Sequence, residues 1–230
     1  EDMAMCVKYK VPIIITSLGA REEINQAAHS YGGVVLHDII NNKFAHKAIE
    51  KGATGLIPVA VGAGGHAGRL SPFALIQEIR QWFDGPVALS GCIATGDAVL
   101  AAQAMGADFG YIGSPWIATV EARADDGYKE GIVEGRASDI VYSDLFTGVH
   151  GNYLRQSIVN AGLDPDNLPM RGAIDIAKDI NAAERDKPDA RRWKDIWSAG
   201  HAVSGVADIP SVADLVDRTA AEYTAAKTSV

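Results

Sequence analysis

The chain has 230 residues, of which 47% are hydrophobic and 22% are charged, a balance that is ordinary for a soluble globular domain with a sizeable core. Its formal net charge of −8 argues against nucleic acid as the main partner, because binding to phosphate favours clustered lysines and arginines. No apolar run is long enough to span a membrane, the first ten residues lack the order of a signal peptide, and the two cysteines have no metal-like spacing, so we expect a cytoplasmic protein without a metal site.

A repeated unit of helix, glycine and strand organises the first half of the chain. It reads AAHSYGGVVLHD at 27–38, AIEKGATGLIPV at 48–59 and AQAMGADFGYIG at 102–113. In each copy an alanine-rich helix ends at a glycine that can adopt positive φ, and an apolar strand follows. This alternation favours a parallel α/β sheet, whose ligands bind at the carboxyl ends of the strands.

The pattern predicts strands at 11–17, 33–39, 54–60, 86–90 and 108–113, with helices at 22–31, 43–51, 72–83 and 97–105 between them. After about residue 116 the pattern changes to helical stretches and loops, and an amphipathic helix closes the chain. Five βα units do not close an eight-stranded barrel, so either the sheet is open or the first three units are lacking. The chain is expected to start almost directly on a strand, which fits the second option.

The first candidate site segment is VAVGAGGHAGRLSP at 59–72, which follows the third predicted strand. Gly62, Gly64 and Gly65 would let the backbone approach a flat or phosphorylated ligand closely. His66 follows at once and is the best-placed side chain for proton transfer near neutral pH. The plainer alternative is a flexible loop with an exposed histidine.

The same segment fits a GxGxxA pattern, so a dinucleotide site has to be considered. Such a site needs an acidic residue at the end of the next strand, about 20 residues further on. Here that strand ends in Leu89, Ser90 and Gly91, so the pattern argues against a dinucleotide fold.

Two further segments, LSGCIATG at 89–96 and YIGSPW at 111–116, end consecutive predicted strands. Ser114 is predicted to cap the helix that follows, with Pro115 in its first turn. Two loops of this kind on neighbouring strands would make a phosphate pocket without lysine or arginine, as the loops after the last two strands of barrels commonly do. The alternative is that Gly91 and Gly113 only permit tight turns.

The ordered set AGGHAG, SGCIATG and YIGS resembles the nitronate monooxygenase (2-nitropropane dioxygenase) family. The segments DIVYSDLFTGVHGNYLR, GLDPDNLP and WKDIWSAG are similar to the same family, so the resemblance covers essentially the whole chain. Members are FMN-dependent (β/α)8 TIM barrels with a smaller helical domain, and they oxidise alkyl nitronates with dioxygen. The chain would then supply about the last five βα units, with barrel at 1–120, a helical insert at 121–190 and returning helices at 191–230.

The resemblance also implies roles for particular residues. The histidine of AGGH is the catalytic base in the family, which corresponds to His66. The cofactor-binding residues implied by the glycine loop and the two strand-end loops are Ala63, Gly64, Gly65, Ser90, Gly91, Tyr111, Gly113 and Ser114. The partners implied are a nitronate or nitroalkane and dioxygen, and a homodimer is possible.

Some positions depart from the family pattern. Val59 stands where many members have glutamine, Ser90 replaces the first glycine of a GGI turn, and His201 follows SAG where relatives often have glutamine. Members are also about a third longer than this chain. The departures put the substrate in doubt more than the flavin. Two alternatives stay open: a flavin-dependent enoyl-thioester reductase or desaturase, since some reductases of fatty-acid synthesis share the barrel and a GGH loop, and an inactive truncated fragment, since an open partial barrel would expose its edges. His37, at the end of the strand VVLHD, is expected either to line the flavin pocket or to hold a structural hydrogen bond to backbone.

Overall fold

The computed structural model describes residues 2–169 and 195–229. In chain order the elements are α1 Asp2–Tyr9, β1 Ile13–Thr16, α2 Glu22–His29, β2 Val34–Ile39, α3 Asn42–Glu50, β3 Gly55–Pro58, β4 Gly65–His66, α4 Pro72–Arg80, β5 Ala88–Ser90, α5 Gly96–Ala104, β6 Phe109–Tyr111, α6 Ser114–Ile117, α7 Asp126–Glu134, β7 Ile140–Ser143, β8 Gly151–Leu154, α8 Arg155–Asn160 and α9 Val212–Ser229. Short 3₁₀ turns occur at Ala137–Asp139 and His201–Gly205. None of the helices in these residues is both long and apolar enough to cross a membrane.

The chain divides into two compact units. The first contains Glu1–Val61, Gly68–Ser90 and Val99–Tyr111, and the second contains Gly62–Ala67, Gly91–Ala98 and Ile112–Val230. The boundaries expected at residues 120 and 190 remain predictions. Part of the expected helical insert, residues 170–190, lies outside the described residues.

The first unit is built on parallel strands. β1 pairs with β2 and β2 with β3, and β5 pairs with β6, all in parallel register. Parallel bridges between Leu56 and Val87 and between Val59 and Ser90 join β3 to β5. The order in the described part of this unit is therefore β1-β2-β3-β5-β6, and each predicted strand is present in shortened form.

The glycine stops of the repeated unit have the backbone geometry that the sequence predicts. Gly32 follows α2 with φ of 84°, Gly52 follows α3 with φ of 88°, and Gly106 follows α5 with φ of 111°. The amides next to two of these turns return to the preceding helix, from Gly33 to Ala28 O at 2.9 Å and from Gly52 to Ile49 O at 2.8 Å. A left-handed residue here ends each helix and turns the chain into the next strand.

Burial in the first unit follows the position of each strand in the sheet. All residues of the central strand β3 are buried, and Leu75 and Ile76 of α4 are fully buried with them. The outer strands differ, since Ile13 on β1 and Phe109 on β6 are 57% and 62% exposed. The continuous apolar runs therefore describe the centre of the sheet, whereas its two outermost strands in this unit carry uncovered apolar side chains.

The sequence predicts that the chain starts almost directly on a strand. This prediction is wrong, because α1 precedes β1. This helix covers Asp2–Tyr9 and contains no buried residue. The residue after the helix, Lys10, has a left-handed φ of 50°. The amide of Val11 donates a hydrogen bond back to Cys6 O at 3.0 Å. A helix that packs no face against a core does not need apolar residues at helical spacing, and this spacing is the signal by which amphipathic helices are recognised.

The second unit has antiparallel pairing instead. β7 and β8 form a hairpin, and the two residues of β4 add to β8 as a third strand. One buried cluster contains Ala118, Ile132, Leu154, Ala199 and Val203. A second cluster contains Phe146, Tyr153, Ile158 and Ile196.

Candidate active site

The glycine loop runs from Gly62 to Ala67 and is held as the third strand of the β7–β8 hairpin. Gly65 pairs with Asn152, and His66 pairs with Gly151, in antiparallel register. Gly65 has φ of 70°, in the left-handed region that favours glycine. His66 is exposed, as in the plainer sequence alternative, but its backbone is fixed in a ladder and not in a loose loop.

Side chains of the hairpin fix both ends of the glycine loop. The buried Asn152 donates from Nδ2 to Ala63 O at 2.7 Å. Tyr142 donates from its hydroxyl to Ala67 O at 3.0 Å, and the amide of Ala67 donates to His150 O at 3.2 Å. The carbonyl of Ala63, one of the predicted cofactor-binding residues, is thereby bonded within the protein.

The imidazole of His66 contacts the loop that joins β7 to β8. Its Nε2 atom lies 2.9 Å from Thr147 Oγ1. Thr147 also donates from Oγ1 to Val149 O at 2.8 Å and accepts from the Val149 amide at 3.2 Å. The histidine ring is therefore oriented by a hydroxyl that is itself tied to its own loop.

His66 lies at the wall of a cavity of about 530 Å³ within the second unit. Two aromatic pairs dominate the rest of this wall. Tyr128 stacks on Trp197 with ring centroids 5.2 Å apart, and Phe146 meets Tyr153 edge to face at 4.8 Å. The volume falls within the range of about 300–1,000 Å³ that is usual for small-molecule sites with apolar walls and few polar groups.

The polar groups of the cavity wall are few. Arg123 and Asp125 are exposed and of opposite charge, so they leave the wall without a net charge. The Tyr128 hydroxyl donates to Ser198 O, and burial raises the pKa of this phenol to about 12. Tyr128 is therefore neutral near pH 7 and contributes an apolar ring to the wall.

Two glycines of the loop are required by the approach of the protein itself. A Cβ at Gly64 would stand 2.9 Å from Gly200 N, and one at Gly200 would overlap Gly62 O. A Cβ at Gly62 would overlap Cys92 Sγ and stand 2.8 Å from Nδ1 of His201, whose amide donates to Gly62 O at 2.8 Å. The close approach predicted for a ligand is thus occupied by the side chains of Cys92 and His201 at Gly62 and by backbone at Gly64.

Two other glycines leave their surroundings open. Within residues 2–169 and 195–229, a Cβ at Gly65 or Gly113 would have no heavy atom within 4 Å. Gly91 has φ of 126°, which again needs glycine. The space expected next to the loops after β3 and β6 is therefore present at Gly65 and Gly113.

Ser114 does not cap the following helix as predicted. It is the first residue of α6, Gly113 holds the capping position, and no side chain makes a capping bond. The Ser114 side chain is buried, and its Oγ accepts from Gly200 N at 3.0 Å. The hydroxyl therefore forms a hydrogen bond with the 199–200 segment instead of capping the short helix.

Ser90 and Tyr111 belong to the first unit, where they stand opposite each other at the ends of β5 and β6. Ser90 is buried, and its carbonyl accepts from the Ala60 amide at 2.9 Å. Tyr111 is 45% exposed. The ladder thus brings the two predicted strand ends side by side.

His37 lies in the first unit and has a side-chain partner, not the backbone partner that we considered. It is buried on β2, and its Nδ1 lies 2.6 Å from Thr16 Oγ1 on β1. Burial lowers the pKa of His37, the nearby Asp38 raises it and Lys51 lowers it. The ring is therefore held mainly as the neutral form within the sheet.

Several residues around His66 have no signal in the sequence that links them to this site. Thr147 and Asn152 are separated from their loop partners by 81 and 89 residues, and no local motif announces either contact. Trp197 packs against the first cluster and also lines the cavity. Among the described residues, no group of three or more His, Cys, Asp and Glu side chains is close enough to hold a metal ion.

Solved structures of two proteins resemble the chain over 99% of its length. Nitroalkane oxidase from Streptomyces ansochromogenes is 22% identical with a TM-score of 0.83, and the chain covers 68% of it. FabK from Thermotoga maritima is 20% identical with a TM-score of 0.78, and the chain covers 72% of it. Both have folds of the TIM-barrel type, which confirms the predicted α/β fold class.

Sequence comparison identifies the family. A nitronate monooxygenase from Paraburkholderia phytofirmans is 27% identical over 150 residues, which are 59% of this chain and 40% of that protein. The chain spans about half the length of the curated relatives that it matches first. The model of the nitronate monooxygenase family matches residues 1–222. The chain therefore belongs to the nitronate monooxygenase family.

Proposed function

We propose that this protein is an FMN-dependent oxidoreductase that oxidises alkyl nitronates or nitroalkanes with dioxygen, and that His66 is its general base. The observation that carries the proposal is the position of His66, an exposed imidazole at the wall of an apolar cavity of about 530 Å³. Family membership gives the reaction class, and the cavity gives room for a small organic substrate.

The chemistry of a nitroalkane suits a histidine base. The carbon next to the nitro group carries an acidic proton, and a neutral imidazole near pH 7 can accept it. The anionic nitronate that results would lie with its alkyl part against the aromatic pairs of the cavity. The wall also contains Arg123 and Asp125. Because their charges are opposite, we expect the alkyl part of the substrate to be the main determinant of binding.

The residues predicted to hold FMN were tested by the space around them. Gly65 and Gly113 fit a flat or phosphorylated group, because no atom of the described residues lies within 4 Å of where a Cβ would stand. Gly91, with φ of 126°, allows the tight turn that the strand-end loop needs. Gly64 fits less well, because Gly200 and Ala199 occupy the direction in which its Cβ would point.

In this proposal Gly65, Ser90, Gly91, Tyr111, Gly113 and Ser114 hold FMN, and Ala63 and Gly64 shape the loop from behind. FMN, when bound, supplies the electron transfer that the side chains cannot perform. The chain positions substrate through its aromatic wall and accepts a proton at His66. A cytoplasmic location and a homodimer belong to the same proposal.

The test is oxygen consumption by FMN-loaded protein with the nitronates of nitroethane and 2-nitropropane, and with the neutral nitroalkanes. Turnover of both forms is expected for the wild type. His66→Asn should lose turnover of the neutral nitroalkane while it keeps some turnover of the preformed nitronate, because only the first needs a base. Equal activity of His66→Asn and wild type on the neutral form would show that His66 is not the base.

The two alternatives have distinct outcomes in the same assay. Consumption of a reduced nicotinamide with an enoyl thioester, and none of oxygen with nitronate, would select the reductase that shares the FabK fold. A purified protein without flavin absorbance that takes up no added FMN would select the inactive fragment.

A further inference from the structure

The loop at residues 91–95 is held at its end by the last helix of the chain. This loop follows β5, and α5 begins directly after it at Gly96. Gly96 is buried, and its amide donates to Glu222 Oε2 of α9 at 2.8 Å. A contact between residues 126 positions apart therefore fixes the point at which the loop becomes a helix.

Packing at Gly96 reinforces this hydrogen bond. A Cβ at Gly96 would overlap Thr219 O and Tyr223 N of α9, and it would stand 2.8 Å from Glu222 Cβ. Gly96 thus lies directly against the backbone of α9. Because the hydrogen bond and the packing act on the same residue, the end of the loop cannot shift along α9 without losing both.

The beginning of the loop has a backbone conformation that is unfavourable for one of its residues. Gly91 has φ of 126° and Cys92 has φ of 60°. Glycine adopts a left-handed conformation at no steric cost, whereas the Cβ of cysteine makes it unfavourable. Such a conformation persists only where the surrounding contacts determine it.

Packing also limits the loop along its length. A Cβ at Gly62 would overlap Cys92 Sγ, so the thiol packs against the glycine loop. A Cβ at Gly205 would stand 2.7 Å from Ala94 Cβ, so Ala94 packs against the 3₁₀ turn at 201–205. Packing contacts restrict where the loop can lie, but a hydrogen bond also has a preferred direction and so orients the backbone amide of Gly96.

The next amides of α5 are bound by a second carboxylate. Hydrogen bonds from the Thr95 hydroxyl and from the amides of Asp97 and Ala98 lower the pKa of the Asp97 carboxyl, although burial opposes them. Three successive amides at the start of α5 therefore donate to carboxylates of the protein itself. Glu222 would accordingly affect a cofactor through the shape of the loop and not through contact with it.

We infer that Glu222 is a positioning residue, which keeps the loop at 91–95 in its cofactor-binding conformation by accepting the Gly96 amide. The inference rests on the proposed function in one respect, that FMN is the ligand of this loop. A protein whose binding-competent conformation is only partly populated has a Kd raised by the inverse of that fraction. Loss of Glu222 lowers the fraction, because a buried amide loses its acceptor and the left-handed Cys92 can relax.

The test is titration of the flavin-free protein with FMN, followed by quenching of flavin fluorescence. Glu222→Ala is expected to raise the Kd for FMN by about tenfold. Glu222→Gln should stay near the wild-type value, because its amide oxygen can accept the same hydrogen.

Glu121→Ala is the matched control. The Glu121 carboxylate also accepts from a backbone amide of α9, at 2.9 Å from the nitrogen of Val212, but this amide is at the start of the helix. The control should keep the wild-type Kd. An unchanged Kd in Glu222→Ala, or an equal rise in Glu121→Ala or in Glu222→Gln, would overturn the inference.

Hydrogen exchange gives a readout that needs no cofactor. In flavin-free Glu222→Ala the backbone amides of residues 91–98 are expected to exchange about tenfold faster than in wild type, while those of β8 exchange as before. A wild type that binds no FMN, together with this faster exchange in the variant, would contradict only the proposed function. Unchanged exchange at 91–98 in Glu222→Ala would overturn the inference, whether or not the protein binds FMN.

Discussion

Each unit of the molecule contains a histidine bonded to a threonine hydroxyl, and the Thr16–His37 pair of the first unit contrasts with the Thr147–His66 pair of the second. The first unit also has an exposed contact of this kind between His29 and Thr54. Thr16 and His37 lie opposite each other on neighbouring strands, and the ring is buried. Thr147 and His66 join segments that are far apart in the sequence, and the ring is exposed at a cavity. The same contact therefore joins two strands of the sheet in one unit and orients, in the other, the exposed imidazole that we propose as the base. Residue type alone does not reveal which of the two roles applies.

The largest expected effect is a loss of catalytic turnover when His66 is replaced. His66→Asn should lower turnover of the neutral nitroalkane by about 100-fold or more, the lower end of what a general base contributes, while the thermal midpoint stays near that of wild type because the ring is exposed. Steady-state oxygen uptake and a thermal melt measure the two quantities. His150→Asn is the matched control, since His150 is an exposed histidine of the same hairpin that stacks on Tyr142. Comparable losses in both variants would argue against a special role for His66.

The second prediction concerns how the second unit is held together. Gly96→Ala should destabilise the protein by about 1–3 kcal/mol, because the new Cβ would overlap the backbone of α9 at Thr219 and Tyr223. Urea unfolding gives the free energy of unfolding. Gly113→Ala is the control, since its φ is −122° and, in the part of the chain that the structure describes, no atom lies within 4 Å of the added carbon. An equal loss of stability in the control would show that α9 packing is not the cause.

The third prediction concerns the cavity wall. Trp197→Leu should weaken binding of a phenyl-substituted nitroalkane by about 1 kcal/mol, the usual contribution of an aromatic contact, and should change binding of nitroethane much less. The KM values of the two substrates measure this difference. Trp82→Leu is the control, because Trp82 stacks on His46 in the first unit and does not line the cavity. Equal changes for both substrates would mean that Trp197 does not contact the substrate.

The smallest expected effect is the pH dependence that His37 gives to the first unit. Its pKa is lowered from the ordinary 6.5, chiefly by burial, so the unfolded chain binds this proton more readily than the folded one. The contribution of His37 to stability is therefore complete above about pH 6.5 and declines as the pH falls.

Melts between pH 7 and pH 5 should show this decline in wild type and a flatter profile in His37→Gln, which also loses a hydrogen bond of about 1 kcal/mol. Asp97 and Asp166 have pKa values lowered from 3.8, so their contributions are lost only below this window. Gln26→Ala, at an exposed position of α2 in the same unit that carries no titratable group, should keep the wild-type slope. An identical slope in His37→Gln would assign the decline to another group.

Much of the first unit can be predicted because its signals are local. Gly32, Gly52 and Gly106 each mark a helix end within a few residues, and the apolar runs that follow form the strands in the predicted order. The helix α1 is the exception, since it buries no residue and no contact with a core selects its residue types. Prediction succeeded where a helix end or a buried strand imposes its own residue types.

The second unit could be predicted only in part, because its contacts join distant segments. AGGHAG indicates a site at His66, but nothing near Thr147 indicates that its hydroxyl lies 2.9 Å from that ring. Ser114 shows the limit of local rules, since serine before proline predicts a cap and the hydroxyl instead accepts from Gly200 N. Tertiary partners decided the role of these residues.

The contact between the glycine loop and Gly200 has a consequence for how this protein can change over evolutionary time. A Cβ at Gly200 would stand 2.6 Å from Gly64 N, and one at Gly64 would stand 2.9 Å from Gly200 N. Neither residue has a side chain that could shrink to make room for a larger partner. A substitution on one side therefore cannot be compensated on the other, and the two positions would not vary together among homologues. Methods that infer proximity from correlated substitutions should be blind to this contact, although it is among the tightest approaches in the second unit.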